Sequence, residues 1–212
     1  MKILDISPEI SEDLAVWPGD QKYKRQVTMD CSQGDNIGLS TVTSTLHLGA
    51  HADGPNHYGA GQEGIASCSL HNYLGPAQVI SVNKKPGERI LWIDMDTVEI
   101  KAPRVLFKTL SFPNPKQWNN DFCSLSAELV DGLAQKGVLL VGIDTPSIDL
   151  FDDKKLESHQ RILHHKMKIL EGLVLQEAED GLYNLVALPL KIKGGDASPV
   201  RAVLLPKEIL TL

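Results

Sequence analysis

The sequence predicts an α+β fold, rich in strands with a few helices, in one domain over residues 1–212. Two observations carry that prediction. Short β-branched and leucine-rich runs recur along the chain, bounded by Gly, Pro or Asp as strands are. Only one of them is clearly followed by a helix of crossover length, which argues against a doubly wound parallel sheet.

Taken in order, Met1-Lys2-Ile3-Leu4-Asp5-Ile6-Ser7-Pro8 reads as a first strand running into a turn. Its acid and proline interrupt the apolar core that a signal peptide needs, so a cytoplasmic protein is expected. Trp17-Pro18-Gly19-Asp20 is a tight turn. The Thr- and Val-rich stretch 40–46 is the next strand, followed by runs 78–82, 89–93, 104–110, 138–143, 173–175, 183–188 and 200–204. Two stretches are helical instead. Ser126 is placed to cap a helix whose Leu129, Val130, Leu133 and Ala134 share a face and which ends before Gly137. Residues 154–166 lack Gly and Pro and bring Leu156, His159, Ile162 and Leu163 to one side.

With 42% hydrophobic and 23% charged residues, the chain has the composition of a soluble globular protein. A net charge of −6 is no footprint for nucleic acid, and no apolar run is long enough for a membrane span. Cys31, Cys68 and Cys123 are odd in number, far apart and without CxxC spacing, so reduced structural thiols are expected.

The segment His47-Leu48-Gly49-Ala50-His51-Ala52-Asp53-Gly54-Pro55-Asn56-His57 holds three of the seven histidines and a carboxylate. Imidazole and carboxylate are the ligands of zinc and its first-row neighbours, which points to a metal-dependent hydrolase. On a straight strand His47 and His51 would stand roughly 13 Å apart, too far to share an ion. Gly49 and Gly54-Pro55 argue against a helix. The chain is therefore expected to bend at Gly49 and leave through a turn at Gly54-Pro55, folding His51 and Asp53 back towards His47. The alternative is a surface turn that happens to carry histidines.

Other positions are ambiguous on their own chemistry. His159 lies on an apolar helix stripe, where a buried histidine bonded to a backbone carbonyl is the usual occupant. Glu171, flanked by aliphatics at a strand entrance, is either solvent-exposed or buried and paired. His164 and His165 suit a solvated helix end, and His71 suits the surface. Trp17 reads equally as a core plug or as a stacking wall for a flat substrate. Asp144-Thr145-Pro146-Ser147, after an apolar strand, reads as site support or as a capping turn. There is no Gly-x-Ser-x-Gly elbow and no phosphate-cradling glycine loop.

The His-x-Gly-Ala-His-x-Asp-x-Pro-x-His run resembles the signature of the metal-dependent cyclase superfamily, and within it the chain is similar to the bacterial kynurenine formamidase (arylformamidase) family. The similarity takes in Asp5-Ile6-Ser7-Pro8, Trp17-Pro18-Gly19-Asp20, Tyr73-Leu74-Gly75-Pro76, Gly142-Ile143-Asp144-Thr145-Pro146-Ser147, Ile169-Leu170-Glu171-Gly172 and the stretch 196–204. The resemblance implies a swivelling β/β/α architecture and a homodimer or larger homo-oligomer. It implies two Zn2+ ions per subunit, with Mn, Co or Fe as alternatives. His47, His51 and Asp53 would hold one ion, and Asp53 would bridge to a second held by His159 and Glu171. His57 would be the catalytic acid/base and Trp17 would bind substrate. The implied reaction is hydrolysis of N-formyl-L-kynurenine to L-kynurenine and formate in tryptophan degradation. A related amide hydrolase acting on a substrate such as isatin is the alternative. A non-enzymatic protein with a structural ion fits poorly, since such sites are usually cysteine-rich. Lys108 stands where the family leads one to expect arginine.

Overall fold

The computed structural model describes residues 3–209, so Met1 and Lys2 of the expected first strand lie outside the described residues. The strands are β1 (Leu4–Asp5), β2 (Lys24–Met29), β3 (Leu39–Thr43), β4 (His51–Asp53), β5 (Leu74–Ser81), β6 (Arg89–Ile90) and β7 (Arg104–Lys108). They continue as β8 (Ser124–Leu125), β9 (Leu140–Ile143), β10 (Lys168–Glu171), β11 (Gly181–Val186), β12 (Ala197–Pro199) and β13 (Val203–Pro206). Two helices, α1 (Ala127–Gln135) and α2 (Glu157–His165), complete the strand-rich α+β fold that the sequence predicts.

Nine strands form one sheet in the order β1-β13-β11-β5-β7-β9-β10-β4-β12. Its centre, β5-β7-β9-β10, is parallel, and the strands on both flanks run antiparallel. Alternation along β7 shows how the sheet is covered. Val105 and Phe107 pack with Val141, Ile169, Leu129, Leu133 and Ile162, beneath the two helices. Leu106 faces the other way, towards Leu140, Leu170, Ile6 and Tyr73. Burial on both faces explains why the central strands read as continuous apolar runs rather than as alternating ones.

Helix α1 starts where the sequence places it, with Ser126 Oγ accepting the Leu129 amide at 3.1 Å. Helix α2 is shorter than the expected 154–166, because Leu156 (φ 51°) and Lys166 (φ 57°) take the left-handed conformation at its two ends. His165 is not merely solvated: its Nε2 lies 2.7 Å from Asp131 Oδ1 and ties α2 to α1.

Three strand expectations need correction. The stretch 40–46 yields only Leu39–Thr43, which pairs with β2 in a separate exposed ribbon. Residues 173–175 are not a strand. The strand lies just before them, at Lys168–Glu171, and Gly172 (φ 65°) ends it by turning its amide to the Thr145 carbonyl at 2.8 Å. The run 89–93 keeps only Arg89–Ile90 before a 3₁₀ turn. The cysteines are all free, but only Cys68 and Cys123 are buried, whereas Cys31 is exposed.

Candidate metal and active site

The histidine segment is assembled by a bend and a strand. Gly49 takes φ 57° and turns the chain, so the rings of His47 and His51 stand 5.0 Å apart, centroid to centroid. The chain then enters β4, where His51 and Asp53 share one face while Ala52 points into the core. Beside β4 runs β10, with Glu171 directly opposite His51. After β4, Gly54-Pro55 opens a 3₁₀ turn, Pro55–His57, that carries His57 to the surface of the same cluster. His159 arrives from α2.

Five of the predicted residues therefore converge. Asp53 uses its two oxygens in two directions. Oδ1 lies 3.2 Å from His47 Nδ1 and 3.5 Å from His51 Nε2, and Oδ2 lies 3.5 Å from His159 Nε2. Glu171 is divided likewise, with Oε2 3.3 Å from His51 Nε2 and Oε1 3.5 Å from His159 Nε2. His159 is buried as expected, but its Nδ1 meets Asp149 Oδ2 at 2.8 Å and not a backbone carbonyl, and the exposed reading of Glu171 is overturned, since that residue is 3% exposed.

This donor set fits a cation. His47, His51 and Asp53 present ligand atoms within 4.8 Å of one another, and so do Asp53, His159 and Glu171. His51 Nε2 and both Asp53 oxygens are buried with no hydrogen-bond partner, a costly arrangement for polar atoms unless something binds them. The electrostatics agree. Burial works against charge at each group, yet Asp53 and Glu171 pull the His47 imidazolium up to about 9, and Asp149, with Asp53 and Glu171, holds His159 well above its usual range. Burial likewise opposes ionisation of Asp53, and the surrounding imidazoles hold it well below the usual carboxylate range. The two buried carboxylates thus demand positive charge.

The rings are aimed by groups outside the cluster. The Gly49 carbonyl lies 2.8 Å from His51 Nδ1, and Asp149 Oδ2 lies 2.8 Å from His159 Nδ1, leaving both Nε2 atoms facing inward. Asp149 was not found from sequence, although an acid between Ile148 and Leu150 was a signal of burial. Asp196 heads the family-similar stretch 196–204, but the sequence assigns it no role; its Oδ2 stands 3.1 Å from His47 Nε2 and 4.0 Å from His57 Nδ1.

His57 differs from the other histidines. Its side chain is 38% exposed, and its ring centroid is 4.2 Å from that of His47. Partial burial, helped by His47 and His159, keeps its pKa below the usual imidazole value against the pull of Asp53 and Glu171.

The cluster forms the floor of a cavity of roughly 250 Å³ with aromatic walls. Trp17 lines that cavity and also packs its ring 5.2 Å from Trp118 and 5.1 Å from Phe151, so it is partly plug and partly wall. Asp144 also lines the cavity. It accepts hydrogen bonds from the amide and hydroxyl of Thr109 and from the amide of Leu110. Lys108 Nζ donates to the carbonyls of Ala178 (2.8 Å) and Gln176 (3.3 Å). No helix among the described residues is long and apolar enough to cross a membrane.

The Cyclase family model matches residues 4–150 of the chain. Kynurenine formamidases from Bordetella pertussis and Bordetella bronchiseptica are each 40% identical over 211 residues, covering 96% of this chain and 97% of theirs. Among solved structures, a potential metal-dependent hydrolase with cyclase activity superposes with a TM-score of 0.84 at 26% identity, over 96% of both chains. Isatin hydrolase A from Labrenzia aggregata superposes with a TM-score of 0.82 over 98% of this chain and 94% of its own. At 18% identity that likeness speaks for the fold alone.

Proposed function

The chain belongs to the Cyclase family, and we propose that it is a metal-dependent arylformamidase that hydrolyses N-formyl-L-kynurenine to L-kynurenine and formate. The observation that carries this reading is the placement of three imidazoles and two carboxylates at the floor of an aromatic-walled cavity. A structural ion needs no such opening, and an exposed imidazole beside the cluster fits a reaction better than a closed site. Identity of 40% with kynurenine formamidases across nearly the whole chain favours the formyl anilide over isatin.

In this reading His47, His51 and Asp53 would hold one zinc ion, and Asp53, His159 and Glu171 would hold a second, with Asp53 common to both groups. When bound, such ions would polarise the formyl carbonyl and lower the pKa of water towards neutrality. Asp149 and the Gly49 carbonyl keep Nε2 of His159 and of His51 free to ligate. His57, partly exposed beside the cluster, would take a proton from the attacking water and hand one to the departing aniline nitrogen. Trp17 and its aromatic neighbours hold the substrate ring and exclude water. The three free cysteines suit a reducing cytoplasm, and a homo-oligomer belongs to the same reading.

The test is steady-state hydrolysis of N-formyl-L-kynurenine before and after chelation, with zinc added back. Turnover lost on chelation and restored by zinc is the expected result. A metal-replete protein that leaves this substrate untouched sinks the assignment.

A further inference from the structure

The cavity wall carries three carboxylates, Asp20, Asp144 and Glu171, and among the described residues no lysine or arginine. Two of the three are committed. Glu171 faces His51 and His159, and Asp144 is saturated by Thr109 and Leu110. Asp20 is exposed, and among the described residues its one side-chain hydrogen bond is from the Thr45 hydroxyl to Oδ2, at 3.2 Å. It also closes the turn that bears Trp17, donating its amide to the Trp17 carbonyl at 2.9 Å. A carboxylate with spare acceptor capacity therefore stands three residues from the indole, on the same rigid turn.

Apart from the groups committed to the metal cluster and to Thr109 and Leu110, Asp20 is the charged group of this wall, and a carboxylate with spare acceptor capacity favours a cation beside it. The substrate side chain of the reading above, on which this step rests, ends in one of each: an ammonium and a carboxylate. Asp20 offers a partner to the first, and beside it the wall carries no lysine or arginine for the second. We infer that Asp20 selects the ammonium group of an aryl formamide's amino-acid side chain, and that the carboxylate of that side chain stays in solvent. Asp20 is then a specificity residue, remote from the bond that breaks.

Asp20 also has a structural contact. The Thr45 hydroxyl that donates to Asp20 also accepts the His47 amide at 3.3 Å, so Asp20 indirectly braces a predicted metal ligand. The two roles differ in substrate dependence. The experiment measures kcat/KM for N-formyl-L-kynurenine and for its desamino counterpart, in which hydrogen replaces the ammonium group. Wild type, Asp20→Asn and Asp20→Glu are compared at equal metal content.

Wild type is expected to prefer the ammonium substrate by about fivefold, the scale of one solvent-exposed ion pair. Asp20→Asn should bring that ratio close to one, chiefly through KM, and Asp20→Glu should restore part of it. A wild type without preference overturns the inference. So does an Asp20→Asn protein that loses the same factor on both substrates, which would leave Asp20 as a brace for His47. Turnover of neither substrate by metal-replete wild type is a separate outcome: it removes the formamidase reading and the inference with it.

Discussion

Asp149 and His159 form a buried pair, with Oδ2 2.8 Å from Nδ1, and the pairing leaves Nε2 of His159 3.5 Å from both Asp53 and Glu171. Asp149 also accepts the amides of Ser158 and His159 and a hydrogen bond from Arg89, so its position is over-determined. Carboxylates that orient a ligating histidine are typically worth 10- to 100-fold in metal affinity. Asp149→Asn should weaken metal binding by about that factor in a chelator competition. Unchanged affinity would show that α2 alone aims the ring.

His57 is the histidine of the cluster that keeps substantial exposure. His57→Ala should lower kcat by about 10²- to 10⁴-fold while the protein keeps its metal, since general acid–base help is of that size. Metal content and single-turnover rate measured on the same sample separate this from loss of a ligand. Near-wild-type turnover would take the proton-transfer role away from His57.

Trp17 touches both the cavity and the Trp118–Phe151 cluster. Trp17→Ala should raise KM for an aryl formamide several-fold, and the loss of its edge contacts should destabilise the fold by about 1–2 kcal/mol. Collapse of thermal stability with KM unchanged would assign it wholly to packing.

Gly172 links the sheet to the site. It takes φ 65°, and a Cβ there would stand 2.2 Å from the Gly49 carbonyl oxygen. Gly172→Ala combines backbone strain with a clash against main chain, costing at least about 2 kcal/mol. Because Glu171 and the bend before His51 flank the contact, metal content should fall along with the urea midpoint. Full stability in this variant would mean that the two loops can separate without consequence.

Asp153 supports the start of α2, accepting the amides of Lys155 (2.8 Å), Leu156 (3.2 Å) and Glu157 (3.3 Å) and a hydrogen bond from Arg89. Burial alone would raise its pKa, but these donors lower it below the usual 3.8. A carboxyl whose folded pKa is depressed stabilises the fold above its unfolded pKa and loses that contribution as pH falls through the folded value. Asp153→Asn should therefore cost about 1 kcal/mol at pH 7. The gap to wild type should shrink below about pH 4, as urea titrations at both pH values would show; a pH-independent gap contradicts it.

The chemistry of the site was legible in one short segment, because clustered imidazoles with a carboxylate are rare unless something binds them. The Ser126 cap and the apolar face of α1 were legible too, since both depend on residues within a turn or two of one another. His159 and Glu171 were not legible from local chemistry. A histidine on an apolar stripe and an acid beside aliphatics look the same whether or not they face each other, and only resemblance to a family singled them out. Asp149, Asp196 and Asp20 gained their meaning from distance alone.

By itself, then, the sequence determined which residue types were present to hold a cation, where the chain must bend to use them, and that strands would dominate. Tertiary structure decided which of those residues meet. Pairing of β4 with β10 sets Glu171 opposite His51, and the packing of α2 on the sheet brings His159 to the same point. Register and helix docking are long-range properties, set by burial of both faces of the sheet, and no local pattern encodes them.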